Sequence, residues 1–148
     1  MLPSWPVNTR IVVDTNVFVG ACLGAGSAAS VVRLCLTGKL SPLMGAALLA
    51  EYEDVLARDE LMEGSRLSRA EREELLDIFV ARCEWTRVYF AWRPNLPDEA
   101  DSHLIELAVA GAAGFIVSRN LRDLVRGELR FPGLRCLDPA SLLKEISP

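Results

Sequence analysis

The run Arg10-Ile11-Val12-Val13-Asp14 constrains this chain more than any other stretch. Three consecutive β-branched aliphatic residues suit a strand covered on both faces, and such strands belong to parallel sheets flanked by helices. Asp14 then ends the apolar run where a parallel sheet gathers its ligands, just beyond the carboxyl ends of the strands. An aspartate there can hold a cation. It can equally cap a following helix or open a turn. The stretch alone leaves both readings open. The choice depends on whether carboxylates elsewhere in the chain reach equivalent positions.

The 148 residues read as one domain, 1–148, long enough to bury a substantial core. No apolar run approaches the roughly 20 residues of a membrane span. Met1 to Thr9 lacks the charged-then-apolar plan of a secretion signal, so the expected compartment is the cytoplasm, with no membrane partner. Cys22, Cys35, Cys83 and Cys136 are widely spaced, and the chain holds a single histidine, which argues against a zinc site. The first three fall in apolar helical patterns and Cys136 in an apolar strand, as expected of reduced core thiols. A net charge of −4 argues against tight nucleic-acid binding by bulk attraction alone. It does not exclude a nuclease, whose acidic ligands are offset by bound cations.

Beyond the first strand, Ser27 to Leu36 has apolar residues at helical spacing, with Gly38 as a stop and Gly24 and Gly26 loosening the approach. Leu40 to Met44 reads as a second strand, interrupted early by Pro42. Ala46 to Ala57 is a helix with a stripe of Leu48, Leu49, Tyr52, Val55 and Leu56. Glu51 and Glu53 each border that stripe, so periodicity leaves them tied as candidates to face a pocket. Asp59 to Arg66 is charged and glycine-containing, the pattern of a mobile loop. Ser68-Arg69-Ala70-Glu71 is a capping box opening a helix with Leu75, Leu76, Phe79 and Val80 on its apolar face.

Thr86 to Phe90 is the expected third strand, with Trp85 and Trp92 as flanking packing residues. Asp98 then offers an N-cap, and Asp101 an acid in the first helical turn, where the dipole favours it. Asp101, Leu104, Ile105 and Ala108 also share one face, so the carboxylate points where the helix must be buried. A buried carboxylate needs a partner, and a metal is one. Gly114 to Ser118 is the fourth strand, followed by Arg119, Asn120 and Asp123, and Leu134 to Leu137 the fifth. Asp138-Pro139 opens a last helix through Leu142, Leu143 and Ile146. The alternation predicts an α/β fold of three layers, a parallel sheet of four to five strands with helices on both faces.

Asp14, one of Glu51 and Glu53, Asp101 and Asp123 thus form a set of oxygen ligands of the kind that selects Mg2+ or Mn2+. The segments Val12-Val13-Asp14-Thr15-Asn16-Val17-Phe18, Leu49-Ala50-Glu51-Tyr52-Glu53-Asp54-Val55-Leu56, Pro97-Asp98-Glu99-Ala100-Asp101-Ser102-His103-Leu104 and Ile116-Val117-Ser118-Arg119-Asn120-Leu121-Arg122-Asp123-Leu124 together resemble the PIN-domain ribonucleases. The resemblance is closest to the VapC-like, PIN-family toxins of bacterial toxin–antitoxin systems, and it covers nearly the whole chain.

The resemblance implies that Asp14, Glu51 and Asp101 are metal-binding acids, and it favours Glu51 over Glu53 by analogy alone. Many members place an Asp where this chain has Asn120, so Asp123 is carried as a fourth acid that substitutes for it or else caps the short helix that follows. Thr15, Asn16, Asp98, Ser118 and Asn120 become supporting residues, with Asn16 or Thr15 orienting Asp14. The implied activity is Mg2+- or Mn2+-assisted hydrolysis of RNA phosphodiesters by a toxin held in check by a small antitoxin, and a homodimer is implied on the same ground. The competing reading is a catalytically impaired PIN-like module that binds RNA or protein, given Asn120. A phosphotransfer enzyme with an Asp nucleophile fits less well, because Asp14-Thr15-Asn16 lacks the second Asp such sites place two residues on.

Arg119, Arg122 and Arg126, with Arg130 and Arg135, lie in a segment holding only two acids, Asp123 and Glu128. That is a phosphate-tracking patch or, equally, a solvated face. His103 adjoins the presumed site but, as a lone histidine at a helix start, reads as incidental.

Overall fold

The Ile11-Val12-Val13 run forms the centre of the sheet, in β1 (Thr9–Val13), with all three side chains buried. The computed structural model describes residues 9–88, 99–124, 131 and 133–146, the side chains of 99–102 and 123 excepted. The other strands are β2 (Leu40–Met44), β3 (Glu84–Trp85), β4 (Phe115–Val117) and β5 (Arg135–Leu137), in the order β3-β2-β1-β4-β5 and all parallel. The chain builds outward from β1 through β2 and β3, then returns to the far side of β1 for β4 and β5. The strand order therefore reverses between β1 and β4, the position at whose carboxyl ends open α/β sheets generally bind ligands.

The helices are α1 (Thr15–Cys22), α2 (Gly26–Leu36), α3 (Ala46–Leu56), α4 (Arg69–Arg82), α5 (Glu99–Ala110) and α6 (Pro139–Ile146). The crossovers put α2 against α4 and α6, while α5 rests on β1, β2 and β4, which completes the expected three-layer α/β architecture. Phe18 of α1, Tyr52 of α3 and Phe79 of α4 meet with ring centroids 5.3–5.9 Å apart and tie three helices into the core. Gly111, just past α5, comes so close to Leu43 of β2 that a Cβ there would collide with the leucine side chain. Among the described residues no single helix is long and apolar enough to cross a membrane.

Several boundaries differ from the sequence reading, each for a physical reason. α1 follows Asp14 at once, a helix without bounds in the sequence reading although Cys22 falls in a helical pattern. It is short and buries residues on most of its sides, so no amphipathic stripe marks it. β2 runs through Pro42 because β3 pairs only with Leu43 and Met44, so Pro42 faces no β3 residue and its missing N–H costs that edge no bond.

β3 lies at Glu84–Trp85 rather than Thr86 to Phe90. The ladder is set by where β2 ends, and Thr86 contributes only its N–H to the Met44 carbonyl, at 2.8 Å. Residues 89 and 90 lie outside the described residues, as does Trp92. Trp85 is 53% exposed and does not pack as expected.

The segment read as a mobile loop is anchored. It holds a 3₁₀ turn at Asp59–Met62, Met62 is buried, and the buried Arg72 reaches Asp59 at 3.4 Å and the Leu67 carbonyl at 3.2 Å. The capping box at Ser68 and Glu71 forms as expected, and none of the four cysteines is in a disulfide.

Candidate active site

β1 and β4 end side by side, with Val13 opposite Val117. The ladder continues one residue further, as the Asp14 N–H donates to the Val117 carbonyl at 2.9 Å and the Ser118 N–H to the Leu137 carbonyl at 3.0 Å. This sets Asp14 and Ser118 next to each other at the switch point. The Ser118 hydroxyl donates to Asp14 Oδ2 at 2.8 Å.

The other oxygen, Oδ1, accepts the Thr15 N–H at 2.8 Å, so Asp14 is also the N-cap of α1. Of the two readings left open by the sequence, the helix cap is the one observed. A carboxylate has enough lone pairs to cap a helix with one oxygen and accept from Ser118 and Asn16 with the other.

Asn16 lies on the same turn. Its Oδ1 accepts the Arg119 N–H at 3.0 Å, which fixes the amide so that Nδ2 faces Ser118 Oγ at 3.2 Å and Asp14 Oδ2 at 3.3 Å. Asn120 takes part through its main chain, donating its N–H to Ser118 Oγ at 3.0 Å, while the residue itself is exposed.

Thr15 connects this cluster to α3. Its hydroxyl donates to Glu51 Oε1 at 3.2 Å, with Asp14 Oδ1 3.5 Å away as the alternative acceptor. Glu51 is therefore the α3 glutamate that faces the cluster, and Glu53 is exposed. The next residue, Tyr52, is fully buried and donates its hydroxyl to the Val13 carbonyl at 2.7 Å, just before Asp14.

On the far side of Glu51, Oε2 lies 2.6 Å from His103 Nε2 of α5. The reading of His103 as incidental is overturned. The available signal was that the chain's single histidine shares a helical turn with Asp101 on a helix whose Leu104 and Ile105 are buried.

Asp101 stands in the first turns of α5, and Asp123 in a 3₁₀ turn at Arg122–Leu124, but the side chains of both lie outside the described residues. Asp98 and Arg126 lie outside them altogether. Among the described residues, no group of three or more Asp, Glu, His or Cys converges to hold an ion. Those residues bring together Asp14 and Glu51. Arg122 is exposed, and the Arg119 guanidinium lies over α1, where a Cβ on Gly20 would come within 3.0 Å of it.

The PIN domain family profile matches residues 10–122, the span that carries this whole arrangement. The chain belongs to the PIN domain family. Among solved structures, the PIN domain resembles VapBC2 from Rickettsia felis bound to a DNA fragment from their promoter, with a TM-score of 0.53 and 18% identity over 86% of this chain and 96% of that one. It also resembles PAE2754 from Pyrobaculum aerophilum, with a TM-score of 0.56 and 15% identity over 94% of this chain and 90% of that one. No match is found among curated proteins.

PIN domains are generally nucleases that use divalent metals, and the donor set of this PIN domain suits such an ion. Asp14 and Glu51 offer carboxylate oxygens, the ligands hard cations prefer. Burial pushes the Asp14 carboxyl above its ordinary range and the nearby Glu51 charge adds to this, against the hydrogen bonds from Ser118 and Thr15. The hydrogen bond from His103 holds Glu51 below its ordinary range, against burial. A buried anion beside a second one gains most from a cation that offsets both.

Proposed function

We propose that this PIN domain is a divalent-cation-dependent ribonuclease and the toxin of a toxin–antitoxin pair. The observation that carries the reading is the hydrogen-bonded line Ser118, Asp14, Thr15, Glu51 at the point where the strand order reverses. Asp14 and Glu51 hold the cation, Mg2+ or Mn2+, with Asp101 and Asp123 as the further acids. Bound there, the cation supplies an acidified water and offsets charge on the phosphodiester. Ser118 and Asn16 fix the Asp14 carboxylate, and Thr15 spaces it from Glu51. Arg119 and Arg122 meet the phosphates of the strand, as exposed cations beside the site can.

The antitoxin is proposed because the Rickettsia felis neighbour is a VapBC2 assembly. A reducing cytoplasm is the compartment proposed, with Cys22, Cys35 and Cys136 as buried core thiols.

The test is to incubate the purified full-length protein with structured and unstructured RNA, in Mg2+, in Mn2+ and with chelator, alongside Asp14→Asn. Cleavage that needs the cation and disappears in the variant is the expected result. Cleavage that persists with chelator, or in the variant, overturns the cation site. Binding of RNA or protein with no cleavage of any substrate supports a PIN-like binding module instead. Expression in a bacterial host should arrest growth with the wild type and not with Asp14→Asn.

A further inference from the structure

Asp14 and Glu51 are held in very different ways. Asp14 has a short side chain, is 7% exposed and accepts from Thr15, Ser118 and Asn16. Glu51 has a longer side chain with more rotamers, and that side chain is 36% exposed. Left to itself such a glutamate samples solvent. Two contacts restrain it, the Thr15 hydroxyl on Oε1 at 3.2 Å and His103 Nε2 on Oε2 at 2.6 Å. The second is the shorter, and it crosses from α5 to α3 between residues 52 positions apart.

Both helices that carry the bridge are seated in the core. Leu104, Ile105 and Leu107 seat α5 in the core, and Leu48 and Tyr52 seat α3. A carboxylate oxygen can only accept, so the hydrogen sits on Nε2. Nδ1 is buried and has no hydrogen-bond partner among the described residues, so among them the ring's hydrogen bonding is spent on Glu51. Each Glu51 oxygen keeps a further lone pair for another ligand.

We infer that His103 is a positioning residue that orients the Glu51 carboxylate toward Asp14, so that the two acids are poised for a divalent cation before it arrives. This role rests on the cation site proposed above. His103 itself is not a ligand, because its one outward nitrogen is bonded to Glu51. Groups that orient metal ligands in this way are worth about 10- to 100-fold in metal affinity.

The experiment measures Mn2+ affinity of the purified full-length protein, freed of metal, by the electron paramagnetic resonance signal of unbound Mn2+. It compares wild type, His103→Ala, His103→Gln and His103→Asn, each with a thermal melt. The amide nitrogen of Gln lies as many bonds from Cα as Nε2, whereas that of Asn matches Nδ1. The expected result is a loss of about 10- to 100-fold for His103→Ala, substantial recovery in His103→Gln and none in His103→Asn. The two amides also keep the comparison available if the alanine variant does not fold.

Wild-type affinity in His103→Ala, or equal affinities for the Gln and Asn variants, overturns the positioning role and leaves the cation site standing. A wild-type protein that binds no Mn2+ overturns both.

Discussion

Ser118 donates its hydroxyl to Asp14 Oδ2 at 2.8 Å across 104 residues of chain, and it is wholly buried in doing so. Ser118 Oγ also accepts the Asn120 N–H and faces the Asn16 amide, so one hydroxyl organises three polar groups at the strand ends. Ser118→Ala should destabilise the protein by about 1–3 kcal/mol, the cost of leaving a buried acceptor short of a donor. Urea unfolding checks this. Ser118→Thr, which keeps the hydroxyl, should retain more of the bond than alanine.

Asp14 serves α1 as its cap and the proposed site as a ligand, and two substitutions separate these duties. Asp14→Ala removes the cap on α1 and should cost about 1 kcal/mol. Asp14→Asn keeps an oxygen for the Thr15 N–H but turns an NH2 toward Ser118 and Asn16, so it should be more stable than Asp14→Ala by about the 1 kcal/mol of the cap, while RNA cleavage is lost. If both variants lose stability equally, the cap at Oδ1 contributes nothing.

The metal-free protein should show an unusual pH dependence. Burial raises the Asp14 carboxyl above its ordinary 3.8, so the folded chain binds that proton more tightly than the unfolded one. The associated stability is present at low pH and is lost as pH rises from 3.8 through the raised value. Glu51, held below its ordinary 4.5 by His103, acts in the opposite sense: its contribution is present above that value and is lost as pH falls. Asp14→Asn removes only the first effect. The stability of wild type relative to Asp14→Asn, by urea unfolding in chelator, should therefore decline as the pH is raised from acid to neutral.

Gly20 leaves room on α1 for the Arg119 guanidinium. A methyl there would come within 3.0 Å of Arg119 Nη1 and 3.3 Å of the Ala28 Cβ. The arginine tip is the more yielding of the two, so Gly20→Ala should displace it. In an Asp14→Asn background, RNA affinity should fall and the salt slope should shrink by about one, while Mn2+ affinity in the Gly20→Ala single variant stays unchanged.

Gly111→Ala is expected to be the costliest small substitution outside the site. Its methyl would collide with Leu43 in a packed core, and overpacking of this kind costs about 1–3 kcal/mol. A lowered thermal midpoint with unchanged Mn2+ affinity is the expected pair of readings.

Much of this was legible in the chain because its strong periodic elements agree with its topology. The Ile11-Val12-Val13 run, the Ala46 helix and the capping box at Ser68 each follow from local rules that the tertiary structure reinforces. The third strand was misplaced because its position is dictated by β2, and pairing overrides propensity. The choice between Glu51 and Glu53 was not legible from periodicity, since both border one stripe. Thr15 and His103 make the difference, and both come from other elements. His103 was passed over because a long-range hydrogen bond leaves no local pattern.

Tyr52 adds a consequence of its own. Glu51 and Tyr52 are neighbours on α3, and the phenol of the second is bonded to the last carbonyl of β1. Sliding or rolling the helix would strand that oxygen away from water, so the helix has one permitted seating against the sheet. The acid that faces the Asp14 cluster is thereby aimed from behind, by a contact that substrate never reaches.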